Sequence, residues 1–173
     1  GICEQNLIGM SAGLAMEGYI PYVNTIGTFL TRRCYEQIYI NLGMHKNRVR
    51  LIANGGGVVY GPLGPTHLAL DDISLLKNIP NMTILVPADE IEVTKMMRAT
   101  INHKGPIYFR IAKGGDPIVT NGLYKKFKIG KPYKIGREYK SIIVSTGIML
   151  NTALKIRKKL NSKKNPIGIV HCP

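Results

Sequence analysis

Apolar and polar positions along the chain alternate between a helical period and short continuous apolar runs. Residues 4–17, EQNLIGMSAGLAME, predict a helix rich in small side chains. YIPYVN (19–24) reads as a short strand, and Thr28 to Met44 as a longer amphipathic helix. VRLIAN (49–54) is a strand that runs into the turn-rich stretch GGGVVYGPLGPTH. HLALDDISLLKN is helical, MTILVP (82–87) is a buried strand, and ADEIEVTKMMRATINHK is a helix. Asp89 and Glu90 fall in the first turn of that last helix and His103 and Lys104 at its end, as the helix dipole favours. PIYFRI (106–111) supplies another strand. The alternation predicts an α/β fold with a mostly parallel sheet and helices on both faces.

A second pattern begins after residue 113. Residues 113–139 are rich in Gly, Lys and Pro and read as a connector. SIIVSTG and PIGIVHC then flank the helix IMLNTALKIRKKL, a fresh strand–helix–strand unit. The expected organisation is a first domain over 1–120, a linker over 121–139, and the start of a second α/β domain over 140–173. The chain opens inside what reads as a helix-capping turn and stops just after a strand. It is therefore expected to be a fragment, lacking an upstream strand or helix and the rest of the C-terminal domain.

Composition narrows the function classes. The 173 residues are 45% hydrophobic and 20% charged with 19 glycines, the profile of a packed α/β chain. No run approaches the roughly 20 apolar residues of a membrane span, and GICEQNLIGM lacks the basic start of a signal peptide. Cys3, Cys34 and Cys172 are odd in number and form no C-x-x-C, which points to reduced thiols in a cytoplasmic protein. The net charge of +14 is unevenly placed: residues 1–120 carry 11 Lys/Arg against 9 Asp/Glu, and residues 121–173 carry 13 against 1. Scattered lysines without interleaved aromatics read as a solvated face, so no nucleic-acid or membrane partner is expected.

Generic cofactor and nucleophile motifs are absent: G-x-G-x-x-G, the P-loop and G-x-S-x-G do not occur. Three places remain unusual. Glu4 opens an apolar, small-residue helix, either as a first-turn acid held by the dipole or as a partly desolvated carboxyl with a raised pKa. In TFLTRRCYEQ, Phe29, Arg32 and Tyr35 are spaced i, i+3, i+6, which lays them along one helix face, with core packing as the ordinary alternative for the rings. His67 follows a glycine–proline loop at the start of a helix, where a simple capping role is the alternative.

Together, GICEQNLIGMSAGLAMEGYIP, TFLTRRCYEQI, YGPLGPTH, NMTILVPADEIE and GPIYFRIAKGG resemble the pyrimidine-binding domain of transketolase-type thiamine-diphosphate enzymes. STGIMLNTALKIRKKL is similar to the start of that family's C-terminal domain. The likeness covers nearly the whole chain and is strongest to the C-terminal subunit of split transketolases. It implies the thiamine-diphosphate-binding fold and a two-carbon ketol transfer between sugar phosphates. It also implies roles residue by residue. Glu4 matches the glutamate at the aminopyrimidine ring nitrogen, where the carboxyl shares a proton. Phe29 matches the aromatic that stacks on that ring, and Arg32 and Tyr35 stand at family positions around the same pocket. His67 matches a histidine that contacts substrate hydroxyls and moves protons. Arg110 matches an arginine that faces a sugar phosphate.

Two departures qualify the resemblance. Leu63 stands where many relatives have an aspartate that contacts substrate. Gly115-Asp116-Pro117 is the nearest approach to the family's Gly-Asp-Gly, which with a later Asn-Asn holds the diphosphate and Mg²⁺. The resemblance therefore implies a partner chain carrying that motif and the metal, and a dimer or heterotetramer with a second copy of this chain. Gly9, Ser11, Ala12, Gly13 and Ala15 would allow close helix approach at such an interface, or serve packing within the domain. A 1-deoxyxylulose-5-phosphate synthase-like enzyme ranks second, because its relatives tend to have His where this chain has Asn6. A non-catalytic regulatory subunit of the same fold is a further alternative.

Overall fold

The computed structural model describes residues 2–136 and 139–173. Gly1, Arg137 and Glu138 lie outside the described residues, the last two within the segment expected as a linker. In chain order the elements are α1 (Glu4–Met16), β1 (Tyr22–Ile26), α2 (Gly27–Thr31), α3 (Tyr35–Gln37), a π-helical stretch (Ile38–Met44) and β2 (Arg50–Asn54). Two 3-10 turns follow (Gly61–Leu63 and Pro65–His67), then α4 (Asp72–Leu76), β3 (Thr83–Leu85), α5 (Glu90–Thr100) and β4 (Ile107–Arg110). The chain ends with β5 (Tyr133–Ile135), β6 (Ser141–Ser145), α6 (Met149–Leu160) and β7 (Ile167–His171). Contacts group them into two units: residues 1–85 with 102–113, and residues 86–101 with 114–173.

The first unit is built on a parallel sheet of order β1-β2-β4-β3, with Ile107 of β4 in register with Arg50 on one side and Thr83 on the other. Tyr108 joins Ile8, Leu30, Ile38 and Leu51 in one core, while Ile107 and Phe109, on the opposite face of β4, are buried as well. Burial on both faces is why these strands read as continuous apolar runs. Helix α1 buries Ile8, Ser11 and Ala12 and leaves Leu7, Met10 and Leu14 exposed, so its apolar surface exceeds what the unit covers.

The long helix expected over 28–44 is broken. It runs only to Thr31, turns through residues 32–34 with Cys34 at φ −110°, ψ 15°, and resumes as α3 and the π-helical stretch. The heptad-like pattern favours a helix, but tertiary bonds from Arg32 and Arg33 pull the turn open, as described below. Strand β1 starts at Tyr22 rather than at 19, directly after Pro21, which lacks an N–H for the ladder while its carbonyl accepts the Arg50 N–H at 2.9 Å. Helix α4 is confined to five residues because the preceding stretch is held in the 3-10 turns and in bridges from Ala69 to Gly56 and Gly57.

In the second unit β6 and β7 run parallel, joined through α6, and β5 lies antiparallel to β7 at the other side. Ala88, Leu150, Ala153 and Ile169 form its core. Helix α5 belongs to this unit. Asp89 is its N-cap rather than a first-turn residue, accepting the Glu92 N–H at 2.9 Å. The helix ends at Thr100, so Arg98, not His103 or Lys104, is the base of its last turn. Asp89 also accepts from Val119 and Thr120, at 2.7 and 2.6 Å for their backbone N–H groups. Burial opposes its ionisation, but these bonds outweigh it and hold the carboxyl below the usual range. Buried Glu92 accepts from the Ala88 N–H, the Tyr124 hydroxyl and His171 Nε2. These two carboxylates tie the connector and the last strand to α5. Strand β5 is a three-residue edge element inside the Gly/Lys/Pro-rich connector, too short to show a period.

Candidate active site

The site grows from the C-terminal end of β1. Gly27 opens α2 directly after the strand, in a space where a Cβ would meet the Ala69 Cβ and the Asn54 carbonyl at 3.3 Å. Thr28, next in the chain, is buried and donates its hydroxyl to the Thr66 carbonyl at 2.8 Å. That bond joins the residue before Phe29 to the residue before His67. The two rings accordingly meet edge to face, with centroids 5.1 Å apart and planes at 70°. His67 lies in the second 3-10 turn rather than at the start of an α-helix. Its Nδ1 is 3.0 Å from the Thr66 hydroxyl, which leaves Nε2 as the nitrogen for a substrate.

Glu4 stands at the first position of α1, buried, beside an open cavity of about 340 Å³ lined by Asn6, Met10, Asn24 and Thr25 among others. The raised pKa considered from sequence is not what the structure shows. Hydrogen bonding from the Glu4 backbone N–H is the largest influence and lowers the pKa; partial burial opposes it, and Arg33 adds to the lowering. Arg33 Nη1 reaches Glu4 Oε2 at 2.7 Å. The same guanidinium lies over the Phe29 ring with its central carbon 4.5 Å from the centroid, and the Arg33 carbonyl accepts the Gln5 amide at 2.9 Å. Arg33 thus links Glu4 to Phe29, and Phe29 touches His67. Sequence reasoning passed over Arg33, because only the folding of α1 against the 32–34 turn brings it to Glu4.

The other expected residues are placed differently. The helix break removes the shared face of Phe29, Arg32 and Tyr35. Arg32 turns toward the loop before α4, with Nε 3.0 Å from both Asp71 oxygens and Nη2 3.3 Å from the Leu68 carbonyl. Tyr35 packs on Tyr39, centroids 6.3 Å apart, and against the core. Arg110 donates from Nε to buried Asp72 at 2.7 Å and from Nη2 to the Ala69 carbonyl at 3.0 Å, lying flat on Gly56, where a Cβ would come within 2.8 Å of its Cγ. Tyr108 donates to the same Asp72 oxygen at 2.9 Å, and burial pushes its phenol far up, so it stays a donor. Leu63 is exposed in the first 3-10 turn. Cys34 is buried beneath the turn, its thiol pushed up to about 11 by burial, which makes it an inert core group.

The donor set fits a planar nitrogen heterocycle. A guanidinium is flat, offers N–H groups in its plane, and here does so to a carboxylate while lying on an aromatic face. An aminopyrimidine presents the same two features. Among the described residues no three His, Cys, Asp or Glu side chains cluster as metal ligands, and no helix is long and apolar enough to cross a membrane.

Comparison with known proteins agrees with this geometry. Residues 1–115 match the family described as transketolase, pyrimidine binding domain. One of the two subunits of an apulose-4-phosphate transketolase of Phocaeicola vulgatus is 35% identical over 85% of this chain and 47% of its own length. A 1-deoxy-D-xylulose-5-phosphate synthase of Carboxydothermus hydrogenoformans is 35% identical over 98% of this chain and 27% of its own. A solved structure described as a split gene transketolase, inactive beta4 tetramer, superposes with a TM-score of 0.84 at 29% identity, covering 97% of this chain and 54% of that one. The chain therefore spans about half the length of the transketolase subunit and of the split-gene chain, and about a quarter of the synthase. It belongs to the transketolase family, and residues 1–115 are its pyrimidine-binding domain.

Proposed function

We propose that this chain supplies the aminopyrimidine half of a thiamine-diphosphate site in a split transketolase that moves a two-carbon ketol unit between sugar phosphates. The observation that carries the reading is the Glu4–Arg33–Phe29 arrangement, a carboxylate and an aromatic face set to receive one planar N–H donor. When bound, the cofactor supplies the electron sink for breaking a carbon–carbon bond beside a carbonyl. Glu4 holds the proton at the ring nitrogen of the aminopyrimidine. Phe29 fixes the ring's plane, at a gain of roughly 0.5–1.5 kcal/mol beyond burial. His67, held edge-on to Phe29, presents Nε2 to a substrate hydroxyl and moves its proton. Arg32 and Tyr35 act from the margin of this pocket, holding the turn and the α3 end in place. Arg110, with Nε and Nη2 already bonded, has Nη1 to offer a sugar phosphate.

The diphosphate and Mg²⁺ fall to a partner subunit carrying Gly-Asp-Gly and Asn-Asn, which this chain lacks. Exposed Leu7, Met10 and Leu14 on α1, beside the Glu4 cavity, support burial of that face in an assembly, with the partner and with a second copy of this chain. The likeness to one subunit of a transketolase and to a split-gene structure supports the same division of labour. Free Cys3, Cys34 and Cys172 support a reducing, cytoplasmic setting. A first domain over 1–120, a linker over 121–139 and a second domain beginning at 140 remain our proposed organisation of the polypeptide.

The test is to purify the native protein that contains this chain, identify what accompanies it, and assay ketol transfer with thiamine diphosphate and Mg²⁺. Turnover that needs a second subunit bearing Gly-Asp-Gly supports the reading. An intact complex without cofactor-dependent turnover overturns it in favour of a regulatory subunit. The synthase likeness favours one other activity, joining pyruvate to glyceraldehyde phosphate. Turnover with pyruvate but not with ketose phosphates would establish that alternative.

A further inference from the structure

The two groups assigned to the aminopyrimidine are already engaged, and by one side chain. Arg33 occupies Glu4 Oε2 through Nη1 at 2.7 Å and covers Phe29 at 4.5 Å. Neither contact is compatible with a pyrimidine bonded to the same carboxylate and stacked on the same face. The side chain has somewhere else to go, being 41% exposed, whereas Glu4 is only 9% exposed and stays. Its backbone is anchored independently by the Gln5 amide on the Arg33 carbonyl, so the side chain can swing without the turn moving. Arg32, one residue earlier, is bonded to Asp71 and Leu68 and does not compete for Glu4.

We infer that Arg33 is a placeholder in the aminopyrimidine site: its guanidinium stands in for the ring in the cofactor-free chain and has to be displaced when thiamine diphosphate enters. The inference rests on the cofactor site proposed above. It makes Arg33 a residue that sets cofactor affinity without touching substrate. The Arg33-engaged state does not bind cofactor, so the apparent Kd is raised by the ratio of engaged to open chains. A part-exposed ion pair together with a cation–π contact sets that ratio at about tenfold. The placeholder also keeps the Glu4 charge paired and Phe29 covered until a cofactor arrives.

Two measurements test it. In the chain alone, the Glu4 carboxyl is titrated by carbon-detected NMR in wild type and in Arg33→Met. Removing the guanidinium is expected to move the midpoint upward; an unmoved midpoint overturns the pairing, whatever the enzyme's activity. In the complex with the diphosphate-binding subunit and Mg²⁺, thiamine diphosphate is titrated calorimetrically. Arg33→Met is expected to bind about tenfold tighter, and Arg33→Lys, which keeps a charge but no plane, to fall between. A merely structural arginine predicts equal or weaker binding in the variant, and that result overturns the placeholder alone. Absence of binding to wild type and variant alike overturns the cofactor site and the placeholder with it.

Discussion

Glu4 and Asp72 each hold an arginine at 2.7 Å, Arg33 in the first case and Arg110 in the second. Their surroundings differ. Arg33 is 41% exposed and rests on one aromatic ring, while Arg110 is 21% exposed, bonded also to the Ala69 carbonyl and pressed on Gly56. Asp72 is buried and takes a second bond from Tyr108. A carboxylate that must accept a new partner needs an old partner that can leave into water, and Glu4 has one. Asp72 has none: losing Arg110 would leave a buried charge with only a phenol beside it, and a buried unpaired charge costs several kcal/mol. The first pair is thus suited to exchange and the second to holding β4 against α4.

The sharpest way to break this comparison is Glu4→Gln. In the assembled complex it is expected to lower turnover at least about 100-fold, the scale of a lost proton-handling group, while the chain's urea midpoint barely moves. Arg33 is exposed enough to tolerate losing its partner charge. Near-normal turnover would remove Glu4 from the chemistry.

Arg110→Met should behave in the opposite way, costing about 3–5 kcal/mol of folding stability in a urea melt, because Asp72 is left buried. If stability is unchanged and only KM for phosphorylated substrates rises, Arg110 is a substrate residue and its bond to Asp72 is incidental. Gly56→Ala tests the same pair more gently. The added Cβ would lie 2.8 Å from Arg110 Cγ, and Arg110 is pinned at its far end by Asp72, so it cannot simply yield. A loss of about 1–3 kcal/mol is expected in the same melt. A loss under about half a kcal/mol would show that Arg110 moves freely.

The two pairs were unequally legible in the sequence. Most strands were, because β2, β4 and β7 are buried on both faces and their apolar runs have no competing period. Strand β5 was not, since three residues at a sheet edge between Lys and Gly carry no pattern. The break after Thr31 was hidden for a different reason: TFLTRRCYEQI has the right spacing for a helix, and only bonds to distant residues undo it. Those same bonds define the site. Arg32 reaches Asp71 across 39 positions and Arg33 reaches Glu4 across 29, so adjacent arginines with nearly the same local sequence context acquire different duties. Phe29 and His67 were singled out by their neighbours in the chain, but the Thr28 bond that brings the rings together is visible only in the fold.

Arg32 and Asp71 form a third arginine–carboxylate pair, 42% exposed on both sides, and it bounds the comparison from below. Arg32→Met is expected to cost no more than about 1 kcal/mol at neutral pH, and less in high salt, because water already screens both charges. Its effect should depend on pH in one direction. The hydrogen bond from Arg32 is the main influence holding the Asp71 carboxyl below its ordinary value of 3.8. A lowered folded-state pKa means the pair's contribution is complete above that ordinary value and is lost as pH falls through the folded one. Wild type and variant should therefore differ by a constant small amount from neutral pH down to about 5, then converge below about 4. Urea midpoints measured across that range at low and high salt would show it. A difference that grows on acidification, or that salt leaves untouched, would mean Arg32 contributes through the Leu68 carbonyl and the turn it closes rather than through its charge.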